Sequence, residues 1–334
     1  MTESAATPSH IESGGRPRVV VFDPVPGVST WGPETAILRS RGVELIVPAD
    51  AAEADDAIRT ADAVIVTGFG RLDADRVASL DRAVGILCYS IGMDKVDGPA
   101  AKAAGIPVRN VPDYCTDEVS DHAVALLLAA QRRILPFATA TAAGGWPNDD
   151  RSITGSLRRL RGQTLGIAGA GRIGRLVAAK ARAFGFTTIA YDPFITAAAD
   201  PDLRLVDRDE LFATSDAIVV CAAYTPGTPP LISREVLAGV KPGLVVVNIS
   251  RGGHIDEHAL AEALGDGRVA VAALDVRTVE PPDPADDPLS GLPNVVLTPH
   301  VAGSSREAVE DLHRLAAEYV LDLLETGGRI DVAA

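Results

Sequence analysis

The chain has 334 residues, a net charge of −14, 47% hydrophobic and 23% charged residues, which is an ordinary globular composition at a length that suggests about two domains. An acidic excess of this size lacks the basic footprint that nucleic acid and anionic membranes require, so neither is expected as a partner. Cys88, Cys115 and Cys221 lie far apart; they offer neither a disulfide framework nor a metal-type pair, which fits a reduced, cytoplasmic protein with no metal site.

Residues 1–16 are small and polar and read as a flexible tail, without the apolar centre of a signal peptide. Apolar strand-like runs follow at 18–22, 45–47, 63–67, 84–89 and 108–110, separated by helix-like stretches at 33–41, 55–60, 73–82 and 98–104. Gly42 and Gly105 stand just past two of these helices, where a left-handed C-cap is expected. Continuous apolar strands in βαβα order predict a parallel sheet covered on both faces. A long helix is expected from an N-cap at Thr116 to about Ile134, with Asp117 and Glu118 in its first turn. Its cleanest apolar stretch, 123–130, is too short to cross a bilayer. After a Gly/Pro-rich segment at 143–148, a second βα series has strands at 164–168, 187–191, 217–221, 244–249, 269–274 and 295–297, and a last helix at 305–324.

The strongest local signal opens this second series. Gly169-x-Gly171-x-x-Gly174 follows an apolar strand and precedes a helix at 175–184. Glycines at this spacing allow a tight turn, the approach of a pyrophosphate and close helix–strand packing, and the helix N-terminus supplies unpaired N–H groups. Asp192 follows Gly174 by 18 residues at the end of the next strand, where an acid is expected on the ribose hydroxyls; no Arg or Lys comes directly after it, which favours NAD over NADP.

Three later strand ends carry candidate chemistry. Arg251 precedes two glycines and can grip a carboxylate by a two-pronged hydrogen bond, or serve only as a surface ion pair. Asp275 ends one strand, and Glu280 stands before a proline pair. His300 follows Thr298-Pro299; with a carboxylate nearby it becomes a general acid/base candidate, and alone it is a structural histidine. The Asp121-His122 pair on the long helix reads as structural, and His10, His254, His258 and His313 as surface or cap residues.

The runs 110–119, 165–174, 248–253, 273–276, Glu280-Pro281 and Thr298-Pro299-His300, in this order and spacing, resemble the D-isomer-specific 2-hydroxyacid dehydrogenases over nearly the whole chain from Arg18. The resemblance implies an α/β protein of two doubly wound parallel-sheet domains: a Rossmann NAD-binding domain (114–302) inserted in a flavodoxin-like substrate domain (17–113 and 303–334). It implies that Arg251 holds the carboxylate and carbonyl of a small acidic substrate, that His300 exchanges a proton with the C2 oxygen, that Glu280 bonds His300, and that Asp275 meets the nicotinamide carboxamide. Further cofactor contacts are implied at Gly169, Gly171, Arg172, Ile173, Gly174, Asp192, Ala223, Thr228, Ile249, Ser250 and Gly303. Substrate contacts are implied at Ser90, Ile91, Gly92, Arg251 and His300, in a cleft between the domains. A homodimer through the long helix is implied as well. In the branch that includes the C-terminal binding proteins an arginine usually stands at the place of Cys88. Its absence predicts a different or smaller acidic group on the substrate. Two other readings use the same scaffold: a dehydrogenase of a phosphorus oxyacid or hydroxyphosphonate, and an NAD-sensing corepressor. The second is disfavoured by Ala302-Gly303-Ser304, where corepressors of that branch carry an aromatic pair.

Overall fold

Short runs of Val, Ile, Leu and Ala without charges, such as Val19-Val20-Val21, Ala63–Val66 and Leu244–Val247, form the strands, because branched apolar chains fit a sheet buried on both faces. The structure, a computed structural model, describes residues 15–23, 31–196 and 200–328; His10 and most of the expected tail lie outside the described residues. The chain divides into two compact units. One runs up to Tyr114 and resumes at Ser305, and the other is Cys115–Ser304.

The first unit follows the order β1 (Arg18–Val21), α1 (Gly32–Ser40), β2 (Glu44–Ile46), α2 (Ala51–Ala57), β3 (Ala63–Val66), α3 (Ala74–Ala78), β4 (Ile86–Cys88), α4 (Gly98–Ala103) and β5 (Val108–Asn110). Its sheet is parallel with order β2-β1-β3-β4-β5, the flavodoxin-like arrangement. Alternation along the strands sends Val19, Val21, Ile65 and Leu87 to one core and Val20, Val64, Val66, Ile86 and Cys88 to the other. Gly42 and Gly105 adopt the left-handed φ values, 75° and 70°, expected of C-caps. Two helices depart from expectation. Asp50 accepts a hydrogen bond from the Glu53 N–H and starts α2 early. The Ser79 hydroxyl bonds back to the Arg76 carbonyl where α3 stops, well short of residue 82.

The second unit contains α5 (Thr116–Gln131), α6 (Ile134–Ala142), α7 (Arg151–Thr154), β6 (Thr164–Ala168), α8 (Arg172–Ala183), β7 (Thr187–Tyr191), β8 (Arg204–Leu205), α9 (Arg208–Thr214), β9 (Ala217–Val220), α10 (Arg234–Ala238), β10 (Leu244–Asn248), α11 (Glu257–Gly265), β11 (Val269–Leu274) and β12 (Val295–Leu297). The strands lie in the order β12-β11-β10-β9-β6-β7-β8, all parallel. Strand order reverses between β6 and β9, the switch point where open α/β sheets bind ligands. The last helix, α12 (Arg306–Thr326), returns to the first unit, where Ala316, Val320 and Leu323 enter the Val19/Ile65 core.

The expected long helix is two helices. α5 ends at Gln131, Arg133 is left-handed (φ 53°), and α6 leaves at 69°. Pro136 is the physical reason: inside a continuous helix its ring would meet the Arg132 carbonyl, whereas in the first turn of a new helix it costs little. Thr116 is the first helical residue and not the cap. The short helices α9, α10 and α11 went unread although each has a side-chain cap, at Asp207, Ser233 and Asp256. Among the described residues no single helix is long and apolar enough to cross a membrane; α5 and α6 reach that composition only as the bent pair.

Candidate active site

The glycine turn joins β6 to α8, whose N-cap is Gly171 with no side-chain cap. Gly169 has φ 100°, and a Cβ there would stand 2.6 Å from the Ala222 backbone; a Cβ on Gly174 would stand 2.0 Å from the Gly169 carbonyl oxygen. Gly171 differs: it is exposed, and a Cβ would meet nothing within 4 Å. So two of the glycines serve the chain's own packing, and the third leaves room in front of a helix N-terminus, as a pyrophosphate requires. Asp192 at the end of β7 is drawn over this turn, accepting the Ala170 N–H at 2.9 Å and the Phe194 N–H at 3.0 Å. These residues fit a dinucleotide. Arg172 and Ile173 begin α8. Ser250 donates to the Ala222 carbonyl beside the turn, Ala223 and Thr228 lie in the exposed segment after β9, Gly303 is half-buried, and Ile249 is largely buried.

Arg251, Glu280 and His300 come together in the same unit. His300 Nδ1 lies 2.7 Å from Glu280 Oε2, and Glu280 Oε1 accepts the Arg277 N–H at 2.8 Å. Burial by itself pushes the Glu280 carboxyl up. The hydrogen bonds from His300 and Arg277 and the charges of His300 and Arg251 outweigh it and hold Glu280 below its ordinary value. An ionised carboxylate only accepts, so the proton of the pair sits on Nδ1 and Nε2 is the nitrogen left for a ligand. His300 and Glu280 side chains are 47% and 36% exposed, so a ligand can reach the pair.

A buried layer sets these groups. Asp275 has a fully buried side chain. Its Oδ1 accepts from Thr298 Oγ1 (2.5 Å) and the Val301 N–H (3.0 Å), its Oδ2 from the Ala302 N–H (2.9 Å), and its carbonyl from the His300 N–H (2.8 Å). These bonds over-determine a turn in which His300 holds the left-handed φ of 53°, a conformation a histidine adopts only when held. Asp275 thus ties β11 to the turn that carries His300. His122 Nε2 joins Thr298 Oγ1 at 3.0 Å. Arg277, unread in the sequence, is bound by Glu257 and Asp287 with all three side chains nearly buried. Burial opposes its charge, but the bonds to Asp287 and Glu257 prevail and raise it above its ordinary value.

A model of the "D-isomer specific 2-hydroxyacid dehydrogenase, NAD binding domain" matches residues 124–302. A hydroxypyruvate reductase of Thermotoga maritima is 37% identical over 88% of this chain and 94% of its own. A D-3-phosphoglycerate dehydrogenase of Mycobacterium leprae is 39% identical over 82% of this chain, which spans only about half (53%) of that relative. The structure of an NAD-dependent formate dehydrogenase of Staphylococcus aureus in complex with NAD superposes with a TM-score of 0.81 at 29% identity, covering 94% of this chain and 97% of that one. The chain belongs to the D-isomer specific 2-hydroxyacid dehydrogenase family. Its second unit contains the family's NAD-binding domain, and NAD is its cofactor.

The substrate residues implied for this family member in the first unit follow β4. The carbonyl of Ser90 accepts the Val111 N–H (3.1 Å), that of Ile91 the Asn110 amide (2.6 Å), and that of Gly92 the Ser90 hydroxyl (2.8 Å). Cys88 does not belong to that surface. It is 2% exposed inside the Val20/Val64 core, and burial, with Asp94 and Asp23 nearby, pushes its thiol up to about 12. Of the histidines expected at the surface or at caps, His254 is buried and His313 half-buried. His254 is 7% exposed, bonded to the Ala222 carbonyl and edge-on to Tyr224; burial above all lowers it. His313 meets Glu34 and Tyr89. Asp121 pairs with Lys180 at 2.6 Å and not with His122.

Proposed function

We propose that this protein reduces a small 2-oxo acid to the D-2-hydroxy acid, reversibly, with His300 as acid/base, Glu280 as its partner and Arg251 binding the carboxylate and C2 oxygen. The observation that carries this reading is the His300–Glu280 pair at 2.7 Å beside the Arg251 charge. When bound, the nicotinamide supplies the hydride to C2. Arg251 neutralises the substrate carboxylate and the charge that grows on the C2 oxygen. His300 gives that oxygen its proton from Nε2, and Glu280 stabilises the imidazolium before transfer and fixes the ring. In oxidation the neutral imidazole takes the proton back. Ser90, Ile91 and Gly92 are the proposed substrate contacts of the first unit, which we read as the substrate domain. Glyoxylate, hydroxypyruvate, phenylpyruvate and 2-ketoisocaproate, assayed by NADH consumption, test the reading. Turnover of one or more supports it, and silence across the panel with tight NADH binding refutes it.

Asp192 sets cofactor choice in this proposal. Asp192→Ala should raise KM for NADH by about 10–100-fold, the worth of a lost charged hydrogen bond, and narrow the preference over NADPH, whose 2′-phosphate the carboxylate repels. Equal effects on both cofactors would refute the role.

A homodimer is proposed through α6. The helix has no buried residue, Ile134, Leu135 and Trp146 are 50%, 41% and 77% exposed, and residues 134–148 carry no charge. An exposed apolar stretch of this kind marks an interface. Light scattering should find a dimer for the unaltered chain and a monomer for Leu135→Asp; a monomeric unaltered chain at micromolar concentration would rule the dimer out.

A further inference from the structure

The first unit holds a polar cluster that the proposed chemistry does not use. Glu34 of α1 is fully buried. Its Oε1 accepts from the Tyr89 hydroxyl and faces His313 Nδ1 of α12, and the Tyr89 hydroxyl lies 2.7 Å from that same nitrogen. The Trp31 ring packs on Tyr89 with centroids 5.0 Å apart. Glu34 Oε2 and Trp31 Nε1 are buried with no hydrogen-bond partner among the described residues. The surrounding core is Val19, Val21, Leu38, Ile65 and Leu87. A carboxylate with one orphaned oxygen in such a core is costly, and well-packed apolar residues would be at least as stable, so stability alone does not account for it.

Tyr89 directly follows β4. Its N–H makes the last ladder bond, to the Val66 carbonyl, and Ser90-Ile91-Gly92 follow. The three carbonyls of that loop are all taken by the chain itself. Among the described residues, the N–H groups of Ile91 and Gly92 donate no hydrogen bond. Two adjacent N–H groups of this kind suit a carboxylate, provided the peptide planes cannot rotate. The tyrosine ring is a rigid lever on the start of the loop, with its far end fixed by α1 and α12. Burial, then the bond to Glu34, pushes the Tyr89 phenol well above its ordinary value, so it stays a donor across the working range.

We propose that Glu34, Tyr89 and His313 are positioning residues that fix the direction of the Ile91 and Gly92 N–H groups and so set the affinity for the substrate carboxylate. This rests on reading Ser90–Gly92 as substrate contacts. Tyr89→Phe and Glu34→Gln should raise KM for the 2-oxo acid by about tenfold, the effect of one charged hydrogen bond, with kcat and KM for NADH unchanged. Tyr89→Phe combined with His313→Gln should lose no more than the worse single variant, since both cut one network. A fall in melting temperature with KM unchanged would mean a purely structural cluster and overturn the proposal. Amide hydrogen exchange supplies a readout independent of turnover. Tyr89→Phe should speed exchange at the Val111 N–H, which holds the Ser90 carbonyl, by about tenfold while β1 and β3 keep their protection, and unchanged exchange at Val111 overturns the proposal. If the unaltered protein turns over no 2-oxo acid yet its loop responds in this way, the positioning stands and the proposed substrate class falls.

Discussion

His300→Gln should lower kcat for 2-oxo acid reduction by about 10²–10⁴-fold, the usual contribution of a general acid, while leaving NADH affinity within about twofold. Glutamine can still bond Glu280 but cannot deliver a proton. The proposed NADH site, the turn at Gly169–Gly174 with Asp192, makes no bond to His300 among the described residues. The pH dependence follows from the pair. Glu280 is held below its ordinary carboxyl value, so it stays ionised and keeps its bond to the His300 ring through the neutral range, and both directions of the reaction should slow only as pH falls through the folded Glu280 value. The same shift has a stability consequence: a depressed carboxyl stabilises the fold above its unfolded value and loses that contribution only as pH falls through the folded value, so the loss belongs to the acid range below about 4. Glu280→Gln should flatten the rate–pH profile and lower kcat. Stopped-flow hydride transfer measured across pH checks both variants, and an unaltered kcat for His300→Gln would remove the histidine from the mechanism.

Gly252→Ala should be as damaging although it adds one methyl group beside the proposed chemistry. A Cβ at Gly252 would stand 1.9 Å from the Arg277 carbonyl carbon and 2.1 Å from the Thr278 nitrogen. Both are backbone atoms of a segment anchored by Arg277 between Glu257 and Asp287 and by the Thr278 N–H to Glu257. Neither side can yield cheaply, so one of the two loops must shift. One carries Arg251 and the other Glu280. Overpacking of this kind costs about 1–3 kcal/mol, and a displacement near 1 Å can cost about 10² in rate. The expected result is a melting temperature lower by several degrees, as about 1–3 kcal/mol implies for a chain of this size, and kcat/KM down by about 10² or more. Calorimetry and steady-state kinetics test it; a variant with unaltered melting temperature and kcat/KM would show that the two loops are not locked together.

Much of this protein was written along the chain. Runs such as Val19-Val20-Val21 can be satisfied only by burial on both faces, so a parallel α/β sheet followed from composition and period alone. The glycine turn was legible because each of its requirements, strand, glycines, helix and acid, is local or nearly so. Arg251, Glu280 and His300 were legible as types at strand ends, and by resemblance as a set. Other features depend on partners distant in sequence. Cys88 looks like a surface residue next to a substrate loop until strand alternation places it with Val20 and Val64. His313 reads as one polar residue on an amphipathic helix until α12 lies on the sheet and brings it to Glu34, 279 positions away. The bonds of the Asp275 carboxylate to Thr298, Val301 and Ala302 show only once the turn after β12 closes on it. The sequence by itself determined periodicity, turns and the types of reactive group, because those are properties of neighbouring residues. Which polar groups are buried, and which therefore hold others in place, was decided only by the tertiary structure, because burial and hydrogen-bond satisfaction depend on what packs alongside.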